Sequence, residues 1–276
     1  MDGYHTYRIP AVISAKNGDL RAFCEGRKNS TRDTGDIDLL LKSSMDGRRT
    51  WGPQQLVWDD ASNACGNPCP VLDESTGTLL LLLTHNIGTN HQREISNRTS
   101  EGTRIFWITH STSHGAKWRQ PTDISSAAKA RSWTWYATGP GLGIRIQFGP
   151  HAGRLVILCD HGDTDASGEN YVGGSHTLYP DDHGAMGPVC QGSILRHLSG
   201  MLLFSNPASK TRVKLTVRAS HDEATSQHNV AVLHTGPSAY SNRVPLDTNS
   251  IGCLYENGEK QPYDKITFAR IALSSH

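Results

Sequence analysis

Apolar positions along the chain recur in short bursts with the period of a sheet. Segments that alternate or run continuously apolar cover Arg8–Ile13, Leu20–Cys24, Ile37–Lys42, Gln55–Val57, Thr78–Thr84 and Arg104–Thr109. They continue at Ile144–Gln147, Leu155–Cys159, Ser193–Leu195, Met201–Phe204, Val213–Arg218, Val230–Leu233, Ile251–Tyr255 and Ile266–Ala272. Each is four to eight residues long or close to it, which suits strands better than helices. Turn signals such as Lys16-Asn17-Gly18-Asp19 and Glu74-Ser75-Thr76-Gly77 separate them. The best helical stretch, Ser125–Ala130, is short. The pattern predicts an all-β chain.

A repeat narrows the architecture. Ser44-x-Asp46-x-x-x-Thr50-Trp51 fits the pattern S-x-D-x-G-x-T-W, with Arg48 in the glycine position. Ser111-Thr-Ser113-His-Gly115-Ala-Lys-Trp118 is a second copy, with Ser113 in place of Asp. Pro180-Asp-Asp182-His-Gly184 is a shortened third, and Ser220-His-Asp222 opens a fourth without Gly or Trp. These are Asp-boxes: hairpin turns in which Asp accepts turn amides while Trp packs beneath. Any one copy is weak, because Ser, Asp and Gly fill turns everywhere. Four in one frame predict a β-propeller, a single domain over residues 1–276. The copies start at 44, 111, 180 and 220, so the last interval is much the tightest.

Composition adds exclusions. A net charge of +1 in 276 residues argues against a nucleic-acid partner. No apolar run reaches the ~18 residues of a membrane span. The six cysteines (Cys24, Cys65, Cys69, Cys159, Cys190 and Cys253) lack paired metal-ligand spacing and read as buried thiols. Asp163-x-Asp165-x-Ser167-Gly168 resembles the head of a calcium loop, but Gly174 stands where its closing Glu belongs. No metal or organic cofactor is expected. Asn29-Ser30-Thr31 and Asn97-Arg98-Thr99 are glycosylation sequons, and no signal peptide precedes the first motif, so the compartment stays open.

Candidate chemistry begins at Tyr7-Arg8-Ile9-Pro10. An arginine inside an apolar strand demands an anionic partner. Together with Arg27 and the loop Thr31-Arg32-Asp33-Thr34-Gly35-Asp36, this opening resembles the exo-sialidase (neuraminidase) superfamily of the bacterial Asp-box type. The likeness covers nearly the whole chain. It implies a six-bladed propeller and hydrolysis of terminal α-linked sialic acid on glycoconjugates. Sialidases depart from the two-carboxylate glycosidase scheme by using a tyrosine nucleophile, which avoids pitting a carboxylate against the substrate's own carboxylate. Position by position, the resemblance implies Arg8 as a carboxylate clamp, Asp33 as acid/base and Arg27 as a flanking substrate arginine. Leu203-Phe204-Ser205-Asn206-Pro207-Ala208-Ser209-x-x-Arg212 implies Arg212 as the last clamp. Ala239-Tyr240-Ser241 implies Tyr240 as nucleophile, and Tyr255-Glu256 implies Glu256 as the brace of Arg8. Trp133-Thr-Trp135-Tyr136-Ala-Thr-Gly139-Pro-Gly141 also resembles the family. By residue chemistry alone, Arg218 competes with Arg212, Asp36 and Asp38 compete with Asp33, and Tyr240 could be a core tyrosine. Trp133 and Trp135 read as packing beneath the active face.

The resemblance breaks after Gly184. Family members continue from this box through a strand with a base Glu and another with the middle arginine of the carboxylate triad. Here Gly184-Ala185-Met186 runs directly into Gly187-Pro188-Val189-Cys190. The tight last box interval points to the same loss. The expectation is therefore a monomeric sialidase-type propeller with an incomplete ring and impaired catalysis. A non-catalytic sialoglycan-binding propeller is the alternative.

Overall fold

The computed structural model describes residues 3–46, 49–139, 141–145, 153–164, 171–177, 193–209, 211–221 and 228–273. The chain is built from antiparallel strands. Thr6–Ser14 (β1), Leu20–Arg27 (β2), Ile37–Ser44 (β3) and Gln55–Trp58 (β4) form a first meander. Ala64–Asp73 (β5), Thr78–Asn86 (β6), Ile105–Ser111 (β7) and Thr122–Asp123 (β8) form a second. A single parallel bridge, Ile37 to Ala64, joins the two. Trp135–Thr138 (β9) pairs with Leu158–Thr164 (β12), which pairs in turn with Tyr171–Thr177 (β13). Between them Ile144–Arg145 (β10) and Leu155–Val156 (β11) make a small ribbon. Ser193–Arg196 (β14), Leu202–Pro207 (β15) and Val213–Ser220 (β16) lead into the long strand His228–Asp247 (β17). The first half of β17 pairs with β16 and its second half with Ser250–Asn257 (β18), which carries Lys265–Ala272 (β19) at the edge. Among the described residues helix is confined to Gln92–Ser96 (α1) and Ser125–Ala128 (α2), and no described helix is long and apolar enough to cross a membrane.

The cores lie between neighbouring meanders. Ala11, Phe23 and Leu39 of the first pack with Cys65, Leu81 and Leu83 of the second. The second packs on the third through Cys69, Leu82, Tyr136 and Cys159. Leu203 and Val217 meet Ile251 and Cys253 across the last two. A further cluster, Val12 and Leu20 with Val244 and Leu254, brings the first meander against the last. Successive faces packed in this way suit a propeller.

Both described Asp-boxes are hydrogen-bonded turns. Asp46 accepts from the Arg49 and Thr50 amides (3.0 Å each) and from the Thr50 hydroxyl (2.6 Å). In the second box Ser113 stands in, accepting the Lys117 amide at 3.0 Å. Trp51 packs edge-on against Phe268 of β19 and Trp118 against Phe23 of β2. The third box and most of the fourth lie outside the described residues, as do Gly184–Gly187, Asp165–Gly168 and Cys190.

Four strands were not legible in the apolar pattern, the shortest being the two-residue β8. β5 contains Gly66, Asn67, Pro68 and Pro70, all strand-poor residues. A bulge between Gly66 and Cys69 accommodates them. β9 lies where tryptophan packing under a loop was expected, and β13 is rich in Gly, Ser and His. The expected segment Leu155–Cys159 divides between β11 and β12, and the helix over Ser125–Ala130 ends at Ala128.

Candidate active site

Three bulged strands converge on one site. β1 bulges between Arg8 and Ala11, β5 between Gly66 and Cys69, and β17 between Ser238 and Ser241, on either side of Tyr240. Bulges re-aim side chains and collect near active sites. At the first, Ile9 has φ 57, a left-handed conformation that costs a β-branched residue dearly. That conformation is held by a contact: the Ile9 amide donates to Glu256 Oε1 at 2.8 Å. The second bulge repeats the device. Asn67, with φ 52, donates its amide to Glu25 Oε1 at 3.0 Å. Gly66 is needed there because a Cβ would lie 2.2 Å from that same oxygen.

Each buried glutamate grips an arginine. Glu256, fully buried on β18, accepts from Arg8 Nε at 3.0 Å and Nη2 at 3.3 Å, and from the Tyr240 amide at 3.3 Å. Glu25 accepts from Arg27 Nε at 3.0 Å and Nη2 at 2.7 Å. Fork-like pairs of this kind fix the guanidinium plane. Glu256 takes the Nε and Nη2 side of Arg8, while Nη1 lies 3.6 Å from Asp33 Oδ1. Burial disfavours the charge on Arg8, but Glu256 and then Asp33 more than offset this and its pKa rises. Arg27 behaves likewise, with Glu25 and Asp33 overcoming burial.

Asp33 stands between these arginines, 2.5 Å from Arg27 Nη2 and 3.6 Å from Arg8 Nη1. Protein crowds it on several sides, which raises its pKa, yet 61% of its side-chain surface still meets solvent. Arg27 and Arg8 win, holding it below the ordinary carboxylate range. Tyr240 presents its ring 5.5 Å from the Arg8 guanidinium carbon and 5.3 Å from that of Arg212. The structure thus gathers Arg8, Arg27, Asp33, Arg212, Tyr240 and Glu256 into one connected group. Among the competitors, Arg218 donates to Asn206 at 2.7 Å on its own sheet. Asp36, Asp38 and Asp59 form a separate acidic cluster occupied by the Lys28 ammonium, at 2.9, 3.2 and 3.9 Å.

Sequence reasoning missed several neighbours. Glu25 is one; its alternation with Arg27 along β2, Glu25-Gly26-Arg27, was the available signal. Tyr263, in the turn before β19, lies with its ring 3.8 Å from the Arg8 guanidinium and accepts from Arg212 Nη1 at 2.5 Å. Arg104 is buried, donating to Asn67 Oδ1 (2.5 Å) and Thr84 Oγ1 (2.7 Å) and lying 4.3 Å from the Trp135 ring. Nearby, burial pushes the Asp160 carboxyl up to about 6 despite Arg104. Trp133 stacks on His161 at 4.0 Å. The described cysteines are free thiols, and burial pushes Cys159 and Cys253 up to about 12, which makes them poor nucleophiles at neutral pH.

Comparison with known proteins identifies the family. The family model of the BNR repeat-like domain matches residues 18–186. An exo-alpha-sialidase of Aspergillus fumigatus is 30% identical over 348 residues, covering 99% of this chain and 85% of the relative. That alignment is longer than the chain, so at least 72 positions (348 − 276) have no residue here. A sialidase of Micromonospora viridifaciens is 27% identical, covering 97% of this chain and 52% of the relative. Among solved structures, a Hadza microbial sialidase superposes with a TM-score of 0.80 at 24% identity, over 99% of this chain and 66% of that one. Repeat, residues and fold converge, and the chain belongs to the exo-sialidase superfamily, in its bacterial BNR-repeat branch.

Proposed function

We propose that the site binds the carboxylate of a terminal sialic acid and that the reaction it descends from is retaining exo-sialidase hydrolysis. The observation that carries this reading is the pair of arginines about Tyr240: Glu256 fixes Arg8 through Nε and Nη2, and the Arg8 and Arg212 guanidinium carbons lie 5.5 and 5.3 Å from the Tyr240 ring. In this scheme Arg8 and Arg212 hold the carboxylate, and Arg27 contacts the sugar and sets Asp33. The Tyr240 oxygen attacks the anomeric carbon as Asp33 gives its proton to the leaving oxygen. Water then cleaves the glycosyl–tyrosine bond with Asp33 as base. A phenol near its ordinary pKa of ~10 needs a base to attack at neutral pH. By the resemblance, the family's base Glu and middle arginine have no matching position here, and the 72 or more alignment positions without a residue in this chain fit a missing stretch. One electrostatic donor alone is commonly worth ~3–4 kcal/mol at the transition state, so turnover falls far below that of a complete relative. The incomplete stretch also makes the ring a six-bladed family propeller reduced in this chain.

Two observations favour a binding-only variant of the same site. Asp33 is held ionised by Arg27 and Arg8, which suits an ion-pair partner better than a proton donor, although a bound carboxylate would offset part of that field. The unmatched stretch is the other. Turnover of a fluorogenic sialoside, measured beside direct sialic acid binding, separates the readings. Binding abolished by Arg8→Ala with no product release supports the binding module. Turnover near that of a full-length relative overturns the impairment, and no binding at all overturns the site assignment.

A further inference from the structure

Glu256 and Asp33 do not account for everything that touches the two clamp arginines. Tyr263 comes from the turn between β18 and β19, outside every motif of the chain. Its ring covers the face of the Arg8 guanidinium at 3.8 Å, and its hydroxyl accepts from Arg212 Nη1 at 2.5 Å. The Arg212 guanidinium carbon is 5.9 Å from the same ring. The phenol therefore bridges the two cations, stacking on one by its π face and accepting a hydrogen bond from the other at its oxygen. A tyrosine hydroxyl that accepts a hydrogen bond still has its own O–H to give. Between two guanidiniums that O–H cannot point at either of them, since neither offers an acceptor. It is available to another oxygen acceptor, a ligand carboxylate among them.

We propose that Tyr263 is a substrate-binding residue, donating its O–H to the ligand carboxylate and serving as the third donor of a clamp that has only two arginines in matching positions. This rests on the proposed sialic acid site and deepens it. The ring stack also fixes the plane of Arg8, whose Nε and Nη2 side is already held by Glu256, so the guanidinium is oriented before ligand arrives. Such preorganisation reduces the ordering cost of binding.

The test uses the full chain and two probes, N-acetylneuraminic acid and its methyl ester, in which the carboxylate charge is removed. Affinities for Tyr263→Phe and the unaltered chain are measured by ligand-observed NMR. A hydrogen bond to a charged group corresponds to a loss of about tenfold or more. The expected result is that loss for the acid, with ester binding unchanged, so the acid-to-ester ratio falls by about tenfold. A packing defect would lower both affinities and leave the ratio fixed, which overturns the proposal. Equal or tighter acid binding by Tyr263→Phe also overturns it, the latter by showing that the hydroxyl competes with the ligand. If the unaltered chain binds neither probe, the sialic acid reading itself fails, an outcome distinct from a null effect of the substitution.

Discussion

Arg27 and Arg243 are buried to nearly the same degree and could hardly have more different surroundings. Arg27 is met by Glu25, Asp33 and the Thr31 carbonyl. Arg243, fully enclosed on β17, leaves Nε, Nη1 and Nη2 without a hydrogen-bond partner among the described residues. Burial pushes its pKa down to about 10, the direction expected when a cation is stripped of water and given little in return. An enclosed charge without compensation lowers stability. Replacing it by an apolar side chain of similar length, Arg243→Met, is expected to raise unfolding stability by about 1–4 kcal/mol, read from the denaturant midpoint. An unchanged or lower midpoint would show that Arg243 is compensated in solution. At this same scale the sequence was most informative about the site. Arg8, Asp33, Arg212, Tyr240 and Glu256 sit in motifs, and motifs are local. Tyr263 was invisible because a tyrosine in a polar turn has no pattern, and only tertiary packing carries it to Arg8.

At the scale of elements, the two bulges explain both what was legible and what was not. Ile9 and Asn67 each leave the strand region of backbone space and hand an amide to a buried glutamate. In β1 the flanking residues are apolar, so the strand was still readable from alternation. In β5 the bulge residues Gly66, Asn67 and Pro68 interrupt the apolar pattern, so no strand was expected where one runs ten residues. Local propensity lost to packing between two meanders, the usual way that strand prediction fails. Gly66 gives this device a test. In Gly66→Ala the new methyl meets Glu25 Oε1, so Glu25 must shift and loosen its hold on Arg27. We expect a stability loss of about 1–3 kcal/mol, the usual cost of overpacking, together with weaker sialic acid binding. Wild-type behaviour in both measurements would show that Glu25 can move without consequence.

Considered as a whole molecule, the chain meets itself at the site. Arg8 and Glu256 are separated by 248 positions, and Val12 of β1 donates to Asn242 of β17 at 2.9 Å. The first meander also shares a core with the last, around Leu20 and Leu254. All-β order with repeated turns was readable from the sequence; which meander packs against which was not, because pairing across such distances leaves no local trace. The separation has a kinetic meaning. Contacts between distant segments must overcome loop-closure entropy before they stabilise anything, and folds rich in them form in milliseconds to seconds. During synthesis at ~5–20 residues per second, Arg8 waits many seconds for the strand that carries its partner. Refolding followed by intrinsic fluorescence should therefore show most of the signal before ligand binding is regained, with sialic acid competence appearing only in the slowest phase. Competence returning with the first phase would mean that the terminal meanders dock early. Proteases and chaperones would meet a nascent chain whose sheets are largely made while its cationic pocket is still half a pocket, its fate resting on the strand that brings Glu256.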